Sequence, residues 1–247
     1  MLSKNQQKYL RQLGQKKYRK QHQEFLVQGT KNVLELLQSE HPVAQLFASD
    51  AFIAQHRSLI TSRLNARDIH EADETELCKV STLVTNNDAI AVAPMAHTEI
   101  VPTPWQLALD GVGDPGNLGT IIRLADWYGF EHVLLSANCA DPYNPKVISA
   151  TMGSFTRVTC QEVNLPEYLS QANKPIYGAF LGGENLHSTN FSEQGILVMG
   201  SESHGISEAV AEHITQRITI MGYGGAESLN VAIASGIILD NIKRCRG

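Results

Sequence analysis

Apolar residues fall into short runs separated by polar and glycine-containing segments, a pattern typical of alternating strands and helices. In the first part of the chain the pattern begins with a basic, polar helix. The predicted elements are a helix at 3–12, a strand at 25–27, a helix at 31–37 and, after further short strands and helices, a strand at 89–93. This order predicts a small α/β layer domain.

In the second part of the chain, apolar strands alternate with helical segments. The predicted strands are 106–110, 132–135, 156–160, 176–180, 196–199 and 217–220. Strands that alternate with helices usually run in the same direction, so we predict an α/β fold with a mostly parallel sheet and helices on both of its faces.

The predicted boundary between the two parts lies in a proline-containing stretch. Pro94, Pro102 and Pro104 resist both helix and central strand. We therefore assign residues 1–97 to a first domain, 98–104 to a linker and 105–247 to a second domain. Glycine agrees with this division, because 17 of the 19 glycines follow residue 105 and tight turns should concentrate there.

The size and composition of the chain narrow its class. It has 247 residues, 43% of them hydrophobic, which suits one or two globular domains. No apolar run approaches the roughly 20 residues of a membrane span, so we expect no membrane partner and a cytoplasmic protein. The four cysteines, at 78, 139, 160 and 245, have no metal-type spacing, so we expect mostly buried, reduced thiols and no metal site.

Positive charge is concentrated at the start of the chain. Residues 1–24 carry seven Lys or Arg and one Glu, a net charge of +6, whereas the whole chain carries −5. Such a segment suits contact with phosphate, and a solvated amphipathic helix is the simpler alternative. The candidate RNA-binding residues are Lys16, Lys17, Arg19 and Lys20.

The first glycine cluster follows the predicted strand 106–110. Its sequence from Gly111 to Gly116 matches G-x-G-x-x-G, which is found in dinucleotide-binding proteins. Pro115 interrupts this pattern, and the next predicted strand ends in Ser-Ala-Asn rather than in an acidic residue that could hold a ribose. A dinucleotide site and a loop without any ligand both remain alternatives at this point.

The same segment also contains N-x-G-x-x-x-R, from Asn117 to Arg123. We expect a helix to begin near Asn117 or Leu118, with Asn117 as its cap. Arg123 then lies two turns into the helix, where it either meets a carboxylate or awaits an anionic ligand.

Two more polar clusters follow later strands. The sequence after the strand 196–199 is G-S-E-S-H-G-I-S, from Gly200 to Ser207. The sequence A-E-S-L-N-V, from Ala226 to Val231, opens a helix after a glycine-containing loop. In order, N-x-G-x-x-x-R, G-x-E-x-x-G and E-S-L-N-V resemble the three motifs of the SpoU, or TrmH, family of RNA ribose 2′-O-methyltransferases.

This resemblance covers the second domain, and the first domain resembles the ribosomal-protein-like substrate-binding domain that many family members carry. The resemblance implies a sheet with a C-terminal trefoil knot that binds S-adenosylmethionine. It also implies a homodimer in which the partner chain completes each site. The expected substrate is structured RNA, with ribosomal RNA favoured over transfer RNA.

By the same resemblance, the cofactor is bound through the backbones of Gly200, Ile220 and Leu229 and the side chains of Ser228 and Asn230. The expected catalytic residues are Arg123, Asn117 and Glu202. Arg123 acts as a base or holds a substrate phosphate.

Asn117 hydrogen-bonds the ribose or orients Arg123, and Glu202 lies near the sulfonium or holds Arg123. The sequence departs from the family pattern at two places. Ser201 and Ser203 flank Glu202, where the family usually has asparagine and glycine, and Met221 replaces a usual proline.

An RNA-binding protein that retains the fold without catalysis is the main alternative function. We interpret His204 as a surface loop residue and Cys139 and Cys160 as core thiols. Trp127 is interpreted as a residue of the core or of a dimer contact.

Overall fold

The computed structural model describes residues 1–83, 88–96, 101 and 103–245. The chain divides into two compact units. The first unit is Met1–Thr98 together with Asp141–Thr156, and the second is Glu99–Ala140 together with Arg157–Gly247. Positions 98–100 and 102 of the predicted linker lie outside the described residues.

The bounds of the regular elements are as follows. The strands are β1 (Glu24–Gln28), β2 (Gln45–Ala48), β3 (Ile69–Glu71), β4 (Ala89–Pro94), β5 (Trp105–Asp110), β6 (His132–Leu135), β7 (Thr159–Glu162), β8 (Ile176–Asn185), β9 (Gly195–Gly200) and β10 (Gln216–Thr219). The helices are α1 (Lys4–Leu13), α2 (Lys16–His22), α3 (Thr30–Gln38), α4 (Asp50–Gln55), α5 (Arg57–Arg63), α6 (Glu74–Val80), α7 (Pro115–Trp127), α8 (Pro145–Thr151), α9 (Leu165–Ser170), α10 (Glu208–Ala211) and α11 (Val231–Arg244). Short 3-10 helices lie at Ala66–Asp68 and Ser154–Thr156.

The first unit has a mixed sheet in the order β1-β4-β2-β3. β4 is antiparallel to both of its neighbours, and β3 is parallel to β2. α1 begins where Ser3 and Gln6 form a capping box, and it turns Leu10 and Leu13 into the core. The sequence pattern placed this helix correctly but did not predict α2 as a separate helix.

The first unit also includes a segment from the second half of the chain. The ring of Phe25 on β1 packs 4.8 Å from Tyr143 and 5.9 Å from Phe155, measured between ring centroids. Ile148 on α8 is buried in the same apolar cluster as Phe25. Residues 141–156 therefore pack with the first unit, whereas the predicted division kept each domain as one continuous range. The reason is that these contacts join residues more than a hundred positions apart, for which a local pattern carries no signal.

The second unit has a parallel sheet in the order β10-β8-β9-β5-β6-β7. This confirms the predicted α/β fold with a mostly parallel sheet. β5 and β9 are buried at every position, as expected for central parallel strands. The prediction for β7 was three residues early at its start, because Ser154–Thr156 forms a 3-10 helix instead. None of the helices in the described ranges is long and apolar enough to cross a bilayer.

Candidate functional site

The three sequence motifs follow the carboxyl ends of β5, β9 and β10. β5 and β9 are neighbours, and Asp110 at the end of β5 is in register with Gly200 at the end of β9. Open α/β sheets bind ligands at the carboxyl ends of their strands. The first two motifs therefore meet at the edge of the sheet where a ligand is expected.

The first motif turns sharply into α7. Gly111 has a left-handed φ of +73°, and its N–H donates to Ser136 Oγ at 2.9 Å. Asp114 is the N-cap of α7, and its side chain accepts the N–H of Asn117 at 2.8 Å. The prediction that Asn117 caps the helix is wrong, because Pro115 suits the first helical position and allows the helix to begin there. The Asn117 side chain is therefore available to contact the other motifs.

The second motif is a closed turn. Ser201 and Gly205 exchange backbone hydrogen bonds of 2.9 and 3.0 Å. A Cβ atom on Gly200 would lie 2.1 Å from the carbonyl carbon of Gly205, so this turn requires glycine at position 200. Ser201 Oγ also accepts the N–H of His204 at 3.1 Å. The serine that departs from the family pattern at position 201 thus helps to close the turn.

Asp110 is a site residue that the sequence reasoning missed. It is buried, and its carboxylate accepts the N–H of Ser207 at 2.8 Å. The contact fixes the end of the second motif to the end of β5, because a buried carboxylate needs such a donor. The sequence offered one indication that Asp110 belongs to the site, namely its position between an apolar strand and a glycine-containing loop.

One side chain from each motif takes part in a continuous chain of hydrogen bonds. Asn230 Nδ2 donates to Asn117 Oδ1 at 3.0 Å, and Asn117 Nδ2 donates to Glu202 Oε1 at 2.5 Å. Asn230 is also the N-cap of α11, because its Oδ1 accepts the N–H groups of Ala232 and Ile233 at 2.9 and 3.3 Å. The structure therefore brings together three of the residues that the resemblance placed at the site.

Arg123 lies on the exposed face of α7, two turns after Asn117. Among the residues that the structure describes, no carboxylate forms an ion pair with it. Glu202 was expected either near the sulfonium or holding Arg123, and it contacts Asn117 instead of Arg123. The second of these roles is therefore corrected, and the guanidinium of Arg123 is available to an anionic ligand.

The loop before α11 is open to ligands. Residues 221–230 are all exposed, including the apolar side chains of Met221, Tyr223 and Leu229. Within the described part of the chain, the backbone of 221–229 forms no hydrogen bond with other backbone groups. Exposed N–H and C=O groups beside apolar side chains are what a nucleoside-containing ligand needs for its polar edge and its faces.

The predicted cofactor residues lie at both ends of this loop and on β9. Gly200 is buried at the end of β9, and Ile220 is half-buried directly after β10. Ser228, Leu229 and Asn230 are exposed in the third motif. The backbone groups of Ser228 and Leu229 fit the predicted cofactor, since other backbone groups in the described part of the chain do not pair with them. The Asn230 side chain is instead occupied by Asn117 and by the first N–H groups of α11.

The basic segment is divided between the surface and the interior. Lys16, Lys17 and Lys20 are exposed on α2. Arg19 is only 1% exposed, donates to Asp141 Oδ2 at 2.5 Å and donates to Leu13 O at 3.0 Å. The prediction that Arg19 contacts RNA is therefore wrong. Its partner lies 122 residues later in the sequence, so no local pattern could reveal the ion pair.

The cysteines and Trp127, which the sequence analysis set apart from the site, were expected to be mainly buried. No disulfide joins the four cysteines, all of which the structure describes, and burial raises the pKa of Cys160 to about 12. Cys78 and Cys245 are exposed, which contradicts the expectation of mostly buried thiols. Trp127 is 82% exposed and therefore does not belong to the core. In the described residues, no cluster of three His, Cys, Asp or Glu side chains could hold a metal ion.

Comparison with known protein families identifies the class of protein to which the two units belong. A model of the SpoU rRNA Methylase family matches residues 104–240, and a model of the MRM3-like substrate binding domain matches residues 4–91. Together with the linked motifs, these matches define a methyltransferase preceded by a substrate-binding domain. The chain belongs to the SpoU rRNA methylase family.

Relatives and solved structures of similar length support this assignment. The 23S rRNA (guanosine(2553)-2′-O)-methyltransferase RlmP of Bacillus subtilis is 31% identical, over 94% of this chain and 94% of that protein. A TrmH-family structure from Porphyromonas gingivalis is 40% identical with a TM-score of 0.88, covering 99% of both chains. An AdoMet-bound rRNA methyltransferase from Sinorhizobium meliloti is 26% identical with a TM-score of 0.88, covering 100% of this chain and 98% of that one. Family membership replaces the dinucleotide interpretation of the first glycine cluster.

Proposed function

We propose that the protein transfers a methyl group from S-adenosylmethionine to a ribose 2′-hydroxyl of structured RNA, with ribosomal RNA as the preferred substrate. The observation that carries the proposal is the hydrogen-bonded chain from Asn230 through Asn117 to Glu202, which joins the three family motifs on the helix that also exposes Arg123. RlmP, which matches nearly the full chain, is by its name a 23S rRNA 2′-O-methyltransferase.

The cofactor is held, in this proposal, by the loop before α11 and the end of β9. The exposed backbone of 221–229 would hydrogen-bond the adenine, and the exposed side chains of Met221 and Leu229 would supply apolar contacts to it. Gly200, Ile220 and Ser228 complete the cradle. When bound, S-adenosylmethionine supplies an electrophilic methyl group on a positively charged sulfur.

Arg123 provides charge stabilisation at the reacting hydroxyl. In the reaction one carbon–sulfur bond breaks, one carbon–oxygen bond forms, and the hydroxyl proton leaves to solvent. Because a guanidinium does not readily lose its proton, Arg123 serves better as a fixed cation than as a base. It binds the phosphate beside the target ribose and stabilises the negative charge that develops on the oxygen.

Asn117 and Glu202 position these groups. Asn117 sits two turns before Arg123 on α7 and is oriented by contacts on both sides. Glu202 fixes the Asn117 amide through its acceptor oxygen and adds negative charge at the edge of the sheet. A negative charge there favours the sulfonium of the bound cofactor by direct electrostatic attraction.

Three further parts of the proposal concern the RNA contacts, the oligomeric state and the chain topology. Lys16, Lys17 and Lys20 contact RNA phosphates from the exposed face of α2. We propose a homodimer because α7 and α11 expose Trp127 and Ile233, two large apolar side chains that a partner would cover. The trefoil knot stays a prediction from the family resemblance, and the cytoplasmic location stays a prediction from the short apolar runs of the sequence.

Two measurements test the proposed function in sequence. Calorimetric titration with S-adenosylmethionine should show binding, with NADH as a comparator that does not bind. Incubation of the protein with rRNA and S-adenosylmethionine carrying a labelled methyl group should then label a ribose. Cofactor binding without label transfer to any rRNA or tRNA would favour an RNA-binding protein that retains the fold without catalysis. No cofactor binding by the folded protein would contradict the proposal.

A further inference from the structure

α1 and α2 enclose a polar groove on the surface of the first unit, with a volume of about 360 Å³. Three cationic side chains, Lys4, Lys8 and Arg11, line it together with the amides of Gln12 and Gln15. The ring of Tyr18 lines the α2 side. No carboxylate is found among the described residues that line this groove. The groove thus offers unbalanced positive charge, amide groups and one aromatic ring to a ligand.

The three cations form a row along α1. Positions 4, 8 and 11 are separated by four and three residues, so their side chains lie on one face of the helix. At about 1.5 Å per residue the row is about 10 Å long, which is enough to meet several successive phosphates of one strand. Arg11 donates through Nε to Lys79 O at 3.3 Å, which holds its guanidinium in place.

The groove is preformed. The N–H of Leu2 donates to Glu76 Oε1 at 2.7 Å, and the Ser3–Gln6 capping box fixes the start of α1. The hydroxyl of Tyr9 on α1 hydrogen-bonds Glu24, directly after α2 and its cap residue. A ligand therefore meets an ordered row of charges and pays little to order the helix.

The chemistry of the groove favours RNA over a membrane or an acidic protein. A helix that binds membranes needs exposed apolar residues, but Leu10 and Leu13 of α1 are fully buried in the core of the first unit. Tyr18 is partly exposed, and Lys17 Nζ lies 5.8 Å from the centroid of its ring. An aromatic ring beside cations suits a nucleobase that stacks while its phosphates contact the charges.

We propose that the groove between α1 and α2 binds a single-stranded segment of the RNA substrate, with Lys4, Lys8 and Arg11 on its phosphates and Tyr18 under a base. The role of this groove in binding a methylation substrate rests on the proposed methyltransferase function, whereas the affinity of the groove for RNA does not. The site extends the basic surface beyond Lys16, Lys17 and Lys20, which the sequence singled out.

The test compares two variants of the full-length protein that lose equal charge. One is Lys4→Gln/Lys8→Gln/Arg11→Gln in the groove. The control is Lys31→Gln/Arg57→Gln/Arg67→Gln, three exposed cations elsewhere in the first unit. Glutamine retains helix propensity, so both variants should fold, which circular dichroism and urea unfolding would verify.

The measurement is the fluorescence anisotropy of a labelled 12-nucleotide oligouridylate, titrated at several salt concentrations. Loss of three phosphate contacts should reduce the slope of log affinity against log salt by about 2, from 0.7 per contact on a single strand. We expect at least tenfold weaker binding for the groove variant and less than threefold for the control. Equal losses in the two variants would overturn the proposal, because the effect would then be one of net charge alone.

Tyr18 provides an independent test of stacking. Tyr18→Phe keeps the ring and should bind the oligouridylate as the unaltered protein does, whereas Tyr18→Leu should bind about tenfold more weakly. Equal affinity of both variants would contradict a stacked base. A labelled polyglutamate peptide that binds the groove as tightly as the oligouridylate would assign the surface to an acidic protein instead.

Titration of the same variants with S-adenosylmethionine separates the two proposals. If the unaltered protein fails to bind the cofactor but the groove variant still loses oligouridylate binding, the proposed function is contradicted and the groove stands. If the cofactor binds and oligouridylate binding is the same in every variant, the groove alone is contradicted.

Discussion

Asn230 Nδ2 lies within hydrogen-bond distance, 3.0 Å, of Asn117 Oδ1, although 113 residues separate the two in the sequence. The contact joins the N-cap of α11 to the first turns of α7. It thereby ties the exposed loop 221–230 to the helix that carries Arg123. The amide pair adds a polar link at the start of two helices that also pack against each other, and farther along the Tyr128 hydroxyl donates to Asp240 Oδ1 at 3.4 Å.

The link between the two asparagines predicts a selective loss on Asn230→Asp. Aspartate keeps an oxygen that can cap α11, but it cannot donate to Asn117 Oδ1. Its second carboxylate oxygen would instead face Asn117 Oδ1, and two acceptors repel each other. We expect affinity for S-adenosylmethionine to fall about tenfold, equivalent to about 1.4 kcal/mol, in a calorimetric titration.

The matched control is Asn144→Asp, because Asn144 Oδ1 also caps a helix, accepting the N–H of Lys146 at 2.9 Å. It belongs to the first unit, whereas the three motifs belong to the second. The control should bind the cofactor normally. Unchanged affinity in Asn230→Asp would show that the amide link has no part in cofactor binding.

Arg123→Ala should separate catalysis from cofactor binding. Loss of a fixed cation at the developing oxyanion should lower the rate of methyl transfer about 100-fold. The affinity for S-adenosylmethionine should stay the same, since the proposed cofactor contacts come from the loop before α11 and the end of β9 and do not include Arg123. Single-turnover label transfer and calorimetry would measure the two quantities, with Arg57→Ala as an exposed control. A parallel fall in rate and cofactor affinity would place Arg123 in the cofactor site instead.

Arg19 should support stability and have no direct role in RNA binding. Arg19→Met leaves the Asp141 carboxylate, 12% exposed, without its cation, and we expect a loss of about 3 kcal/mol in the free energy of unfolding. Arg19→Met/Asp141→Asn should recover part of that loss, because the unpaired charge is removed. Urea unfolding would measure both. A reduced salt dependence of RNA binding in the folded Arg19→Met protein would contradict a purely structural role.

His41 should make the first unit less stable in acid. Burial, together with the nearby charge of Arg63, lowers the pKa of His41 below its ordinary value of 6.5, although its ring also contacts Pro94 O at 2.9 Å. The unfolded chain therefore binds a proton at higher pH than the folded chain does. Stability from this residue is present above pH 6.5 and is lost as pH falls through the lower, folded-state pKa.

The comparison that isolates this effect is urea unfolding at pH 5 and pH 7. His41→Gln should show a smaller decrease between the two than the unaltered protein, by at most about 1.4 kcal/mol per pH unit for one proton. An imidazole of His41 that titrates in NMR at or above 6.5 would contradict the expected direction.

Local pattern predicted most of the strands. The strand His132–Leu135 was predicted residue for residue, and β5 and β9 were each predicted to within one residue at either end. These are buried strands between glycine or polar turns, where hydrophobic runs and turn residues agree. The start of α7 was predicted late, because Asp114 and Pro115 together form a cap and a first turn that the pattern alone did not resolve.

The sequence by itself determined the class of fold, the family and the identity of the motif residues, because strand periodicity and the order of three short motifs are local properties. Only the tertiary structure decided what each polar side chain contacts. In the structure Glu202 accepts a hydrogen bond from Asn117 and not from Arg123. Asn230 caps α11 and also donates a hydrogen bond to Asn117.

Arg19, predicted on the RNA-binding surface, forms a buried ion pair with Asp141 in the tertiary structure. Residues 141–156 belong to the first unit, although they follow the start of the second unit in the sequence. Hydrogen bonds and ion pairs act over about 3 Å in space, and chain distance does not limit them. Partners 85 to 122 residues apart can therefore be identified only when the fold has brought them together.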